Sequence, residues 1–189
     1  MKEFTTCFIG IPLPDEYQSE FELLLKDLST IDPNLEITDP TIPHITGYYL
    51  DEQSQMYLPE IAEAVKTKVH LLKGAEITVG GMGTFGGDTP TVLFLNIKHS
   101  DSLQEFNNEL TKVLYKFYAV DNNLSFHAHM TVARMYLEAA QQSFAKTQLK
   151  IKSRMEDVSW VYPITEVVLY GVDSRKQPEH QEKLICITL

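Results

Sequence analysis

A single shift of 85 residues lays the second half of this chain on the first. The shift carries His44 onto His129 and residues 4–11 onto 89–96, each an apolar run followed by a helical pattern. Apolar spacing predicts strands at 4–11, 44–50, 75–80, 91–97, 127–135, 164–172 and 183–189, with a short one at 158–161. It predicts helices at 15–29, 54–72, 101–117 and 137–149. In the helix over 101–117, Leu103, Phe106, Leu110, Val113, Leu114 and Phe117 form one apolar stripe, and Asp101 and Gln104 have capping-box spacing. The order is βαβαβ followed by βαβαββ. Side-chain identity between the halves is weak, so the repeat is one of pattern. No Pro/Ser linker divides them. The predicted fold is α+β and bilobal, with two pseudo-symmetric β-α-β-α-β halves whose antiparallel-rich sheets face a central cleft. We read one domain over 1–189, with lobe repeats near 1–87 and 88–189 and strands free to exchange between them.

Composition narrows the function classes. The chain has 189 residues, 43% of them apolar, which excludes disordered, collagen-like and disulfide-scaffold classes. The formal net charge of -10 argues against gripping a long nucleic-acid backbone by bulk charge. A single phosphate held by a few local groups stays open. No run approaches the roughly 18 apolar residues of a membrane span. An acid at Glu3, and an apolar run that stops at Pro12 and Pro14, do not read as a signal peptide. Cys7 and Cys186 both lie in apolar strand-like runs and read as buried reduced thiols. We therefore expect a cytoplasmic protein, with no membrane contact, acting as a monomer.

Gly81-Met82-Gly83-Thr84-Phe85-Gly86 matches G-x-G-x-x-G in letters only. A dinucleotide fingerprint needs a helix after the glycines, and here a strand follows Gly87-Asp88-Thr89-Pro90. We read the run as a connection between two strands, or as a support at the rim of a site.

The histidines carry the chemistry. His44-Ile45-Thr46 and His129-Met130-Thr131 both read His-x-Thr, both on predicted strands, at corresponding places in the two halves. Residues two apart on a strand share a face. Strict alternation puts His44, Thr46 and Tyr48 on one face, and His127, His129, Thr131 and Ala133 on one face of the other strand. It turns Arg134 away from that face unless a bulge or the strand end intervenes. If the halves are related by an approximate two-fold axis, the two faces oppose across a cleft. One neutral imidazole there can take a proton from water while a charged one protonates a leaving oxygen. The Thr hydroxyls can hold the non-bridging oxygens of a phosphate. His70, His99 and His180 read as structural or surface residues. A metal site built on His127 and His129, with His44 as a third ligand, is an alternative, but neither strand carries an acid to complete it.

These residues resemble the 2H phosphoesterases, within them the 2′-5′ RNA ligase-like or RNA 2′,3′-cyclic phosphodiesterase group. The likeness rests on Pro43-His44-Ile45-Thr46 and on His129-Met130-Thr131-Val132-Ala133-Arg134. Also alike are the opening Phe8-Ile9-Gly10-Ile11-Pro12, Gly83-Thr84-Phe85-Gly86 before a strand, and Thr165-Glu166-Val167-Val168-Leu169-Tyr170 near the end. It spans nearly the whole chain. One departure is Ala128, where the family often has Pro. The resemblance implies His44 and His129 as the acid–base pair and Thr46 and Thr131 on the phosphate, with no metal and no cofactor. Arg134 is either a phosphate or substrate contact or a surface salt-bridge residue. Tyr48 either stacks a base or packs the cleft wall. The role of His127 stays open, with substrate contact one reading.

The function expected is a metal-independent phosphodiesterase hydrolysing a 2′,3′-cyclic phosphate or 2′-5′ phosphodiester of an RNA end or small nucleotide. Which histidine is the acid, and whether the chain also ligates, are not legible. Two alternatives stand: a metal-dependent hydrolase using His127 and His129, and a non-catalytic RNA-binding module using Lys146, Lys150, Lys152 and Arg154.

Overall fold

The computed structural model describes residues 4–117, 126–175 and 180–189. The reading of Glu3 lies outside the described residues. The elements run β1 (Thr6–Pro12), α1 (Asp15–Ile31), β2 (Glu36–Ile37), β3 (His44–Leu50), α2 (Leu58–Lys66), β4 (Glu76–Phe85) and β5 (Val92–Ile97). There follow α3 (Asp101–Leu114), β6 (His129–Arg134), α4 (Glu138–Glu156), β7 (Trp160–Pro163), β8 (Glu166–Asp173) and β9 (His180–Thr188).

Two sheets form, in strand orders β3-β1-β8-β9 and β2-β6-β5-β4-β7. The pairings are antiparallel, so the class is α+β. The sheets are not the two halves of the chain. β1 and β3 are joined by β8 and β9 from the C-terminal end, while β4 joins β5 and β6. Helices cross over in the same way. α3 follows β5 yet packs on β3. α1 follows β1, yet its Tyr17 and Phe21 rings meet Trp160 of β7 at 5.7 and 6.4 Å. The exchange ties both sheets into one apolar core.

Helix α1 buries Phe21, Leu24, Leu25 and Leu28, the stripe its spacing requires. Its C-cap residue Asp32 is buried and accepts hydrogen bonds from the Ser143 and Thr147 hydroxyls of α4 at 2.7 and 2.8 Å. The Asn34 N–H donates to the same carboxylate at 3.1 Å. This brace holds α1 against α4 with both carboxylate oxygens of Asp32 used.

Several boundaries differ from the sequence reading. The helix expected over 54–72 is broken: a 3₁₀ turn over Glu52–Tyr57, then α2, then a second 3₁₀ turn over Val69–Leu72. Pro59 explains the start, because Pro suits the first turn of a helix and not its interior. α3 is capped by the Ser100 hydroxyl, which accepts from the Leu103 N–H, and not by Asp101. α4 continues to Glu156 because Ile151 and Met155 extend the buried face of Ala140 and Phe144 past a charged stretch. β2 is two residues long, too short to show a period. β9 opens at His180, opposite Asp173, ahead of the strand expected over 183–189. Cys7 is buried, but Cys186 is exposed, since it lies on the outer face of β9.

The glycine-rich run is strand as far as Phe85. It bulges at Gly80-Gly81, where the register along β5 shifts, and Gly81 takes φ +76°. A Cβ on Gly83 would collide with the Phe94 ring. Glycine is required there so that an aromatic side chain of β5 can lie across β4.

Candidate active site

β3 and β6, the two His-x-Thr strands, meet where the sheets come together. Each strand carries one bulge. In β3 the partners along β1 step from Tyr48 to Thr46, so Gly47 is the extra residue. In β6 the partners along β5 step from Ala133 to Thr131, so Val132 is the extra residue. Gly47 and Val132 are 85 residues apart, so the repeat extends to the irregularity of the strands.

The bulges reset which side chains share the histidine face. Tyr48 turns inward, 3% exposed, and packs in the core. It is therefore not a cleft residue, and the expectation that it shares the His44 face is corrected. Tyr49 takes that place. Arg134, which strict alternation turns away, comes onto the His129 face. Tyr49 and Arg134 are again 85 residues apart. Both line one cleft together with Thr38, Asp39, Ile42, Pro43, His44, Thr46, Thr131 and Gln181. Pattern reasoning missed Tyr49, Thr38, Asp39 and Gln181. A bulge leaves no mark in apolar alternation, although the glycine at 47 is a weak sign of one.

The two imidazoles are held by the same device. His44 Nδ1–H donates to the Ile42 carbonyl at 2.8 Å, and His129 Nδ1–H to the His127 carbonyl at 2.7 Å. A carbonyl only accepts, so the proton sits on Nδ1 in the neutral ring and Nε2 carries the lone pair. Both rings also rest on aromatic walls. His44 stacks on Phe8 at 4.4 Å and leans on Tyr170 at 5.3 Å. His129 meets Phe85 edge-on at 4.8 Å and Phe94 at 5.1 Å. Phe85 and Tyr170 are a further pair at the 85-residue shift.

Electrostatics follow from this packing. Burial pushes His44 down to about 4 from the ordinary 6.5, against the pull of the Ile42 carbonyl, and the charges of Arg134 and His129 add to the fall. Burial also lowers His129, opposed by the His127 carbonyl and helped by the His127 ring. Both shifts favour the neutral imidazole in the free protein. An anion placed between them would raise both. Among the described residues, the hydroxyls of Thr46 and Thr131 have no hydrogen-bond partner, and Arg134 has no ion-pair partner.

His127 is exposed; its ring is edge-on to Phe85 and Phe94 and 6.4 Å from that of His129. Among the described residues no group of three His, Cys, Asp or Glu is placed to hold a metal ion, so the His127/His129 pair has no completing ligand there. The basic run lies on α4, where Arg154 pairs with Asp27 at 2.7 Å and Lys152 faces Glu156 at 3.6 Å. Two of its four cations are thus committed within the protein. Among the described residues no helix is long and apolar enough to cross a membrane.

The sequence model of the 2′-5′ RNA ligase superfamily matches residues 34–175, which include both His-x-Thr strands. The chain belongs to the 2′-5′ RNA ligase superfamily. It is thereby an enzyme of the two-histidine phosphoesterase type, a phosphodiesterase in class. Solved structures of similar fold include TT0787 of Thermus thermophilus, with TM-score 0.77, 16% identity and 97% of each chain covered. E. coli LigT complexed with 3′-AMP has TM-score 0.68, 18% identity and 99% of each chain covered. The MHV ns2 PDE domain has TM-score 0.51 and 14% identity, covering 98% of this chain and 99% of that one. No curated protein sequence matches the chain significantly. These structures share the architecture at identities too low to transfer a substrate.

Proposed function

We propose that this 2′-5′ RNA ligase superfamily member hydrolyses a 2′,3′-cyclic phosphate or a 2′-5′ phosphodiester of an RNA end or nucleotide, without a metal. His44 and His129 are the acid–base pair in this reading. The observation that carries it is the pair of identically pinned imidazoles, each beside a threonine hydroxyl with no partner among the described residues, on two strands that converge on one cleft. A neutral imidazole accepts a water proton at Nε2 as the water oxygen bonds to phosphorus. The bond from phosphorus to the ribose oxygen breaks, and the other imidazole, charged through the bound phosphate, gives that oxygen its proton. Thr46 and Thr131 donate to the non-bridging oxygens, and Arg134 balances their charge. His127 holds His129 in place through its carbonyl.

Nucleotide ligands suit such a site. LigT, the E. coli relative in fold, has been crystallised with 3′-AMP, NADP+, ATP and phosphate. The test is a product assay on a 2′,3′-cyclic nucleotide beside a 2′-5′ dinucleotide, with and without EDTA. The reading expects chelator-resistant hydrolysis of at least one, with a 2′- or 3′-phosphate identified in the product. Inertness towards both, or activity restored only by added zinc, contradicts it. Tight, steeply salt-dependent RNA binding without turnover would point instead to a binding module.

A further inference from the structure

We infer that Tyr49 is the nucleobase platform of the cleft, stacking the base of the nucleoside whose phosphate lies between His44 and His129. The inference rests on the proposed placement of that phosphate and goes beyond it by naming what holds the rest of the substrate.

Three observations converge on Tyr49. The Gly47 bulge brings it onto the face of His44 and Thr46, where it lines the same cleft as Thr131 and Arg134. It is 46% exposed, although it belongs to a strand whose other large apolar side chains are buried. Among the described residues its hydroxyl has no hydrogen-bond partner. An exposed aromatic with one face open to a polar cleft is suited to a flat π-system.

Position makes the platform specific. The Tyr49 ring lies 6.3 Å from Phe8, and Phe8 is the ring on which His44 stacks. The distance from base platform to reacting phosphorus is therefore set through one buried side chain. At the equivalent place in the other half stands Arg134, which serves charge where Tyr49 serves stacking. The two-fold repeat thus supplies one arm for the phosphate and one for the base. The net charge of -10 fits this division, because stacking gives base affinity without a basic surface.

The test compares wild type, Tyr49→Ala and Tyr49→Phe, titrated by calorimetry or NMR with 3′-AMP and with inorganic phosphate. Tyr49→Ala is expected to bind 3′-AMP about tenfold more weakly, a loss typical of one base–aromatic stack. Its phosphate affinity should equal that of wild type. Tyr49→Phe should match wild type for both ligands. The inference is overturned by 3′-AMP binding that Tyr49→Ala leaves unchanged, by an equal loss of phosphate binding, by a Tyr49→Phe variant as weak as the alanine one, or by a wild type that does not bind 3′-AMP. Turnover of a cyclic nucleotide is read in parallel. A wild type that binds 3′-AMP through Tyr49 but hydrolyses nothing would refute the proposed reaction and leave the platform standing.

Discussion

His44 lies stacked on Phe8, with 4.4 Å between ring centroids, and this burial more than any charge keeps its imidazole neutral. The consequence is a pH dependence of folding with a definite sign. Above pH 6.5 the ring is neutral folded and unfolded, and the stacked arrangement contributes its full stability. Between 6.5 and about 4 only the unfolded chain takes the proton, so stability falls as pH falls. Below that window both states are charged and the contribution levels off. Denaturation midpoints measured from pH 7.5 to 4 should drop more steeply for wild type than for His44→Gln. Equal slopes would show that His44 is not buried neutral.

Thr46 and Thr131 hold hydroxyls that bond no other described residue and that a bound phosphate would engage. Replacing either by valine keeps the shape and removes the donor. A hydrogen bond to a charged group is worth about 1.5–3 kcal/mol, so each change should lower kcat/KM by roughly 10- to 150-fold. The double variant should lose more than either single one. Circular dichroism should be unchanged, because neither hydroxyl bonds another described residue.

Gly83→Ala tests the aromatic wall behind His129. The new Cβ would collide with the Phe94 ring and come within 2.8 Å of Asn96 Oδ1. Phe94 must then move, and His129 loses the support it has at 5.1 Å. Overpacking of this kind costs about 1–3 kcal/mol of stability. Turnover should fall as well, although Gly83 itself touches no substrate in this account. A variant with wild-type stability and turnover would show that the glycine run is a simple connection.

Asp32 tests the brace between α1 and α4, far in role from the chemistry. Asp32→Ala leaves the Ser143 and Thr147 hydroxyls and the Asn34 N–H without their shared acceptor. Unmade hydrogen bonds of buried groups cost roughly 1–3 kcal/mol each, and partial re-pairing brings the expected loss to about 2–3 kcal/mol. Turnover per folded molecule should not change. Denaturant melts with an activity assay at 25 °C separate the two effects.

Much of this was legible in the sequence, and what was not has physical causes. The 85-residue shift predicted equivalent strands, and the structure extends it to Gly47 and Val132, Tyr49 and Arg134, Phe85 and Tyr170. Alternation placed Thr46 beside His44 and Thr131 beside His129, because no irregularity lies between them. It failed one residue later. A bulge changes the side-chain face without changing the apolar pattern, since Gly47 is small and Val132 stays buried. Tyr48 and Tyr49 are adjacent and chemically alike, so only the register along β1 separates the core residue from the cleft residue. Strand exchange between the lobes was allowed for, but which strands exchange was not legible, because pairing partners are long-range and leave no local period. The charge of -10 described the surface and said little about a cleft lined by threonine hydroxyls, the His44 imidazole and Arg134.

In the proposed reaction two carbonyl-pinned histidines do the proton transfers, one neutral as the base and the other charged as the acid. The most direct measurement is single-turnover hydrolysis of a 2′,3′-cyclic nucleotide in EDTA by wild type, His44→Ala and His129→Ala. Each variant should remain folded and lose roughly 10²–10⁴-fold in rate, as expected for removal of a general acid or base. Wild-type rates in either variant would contradict the account.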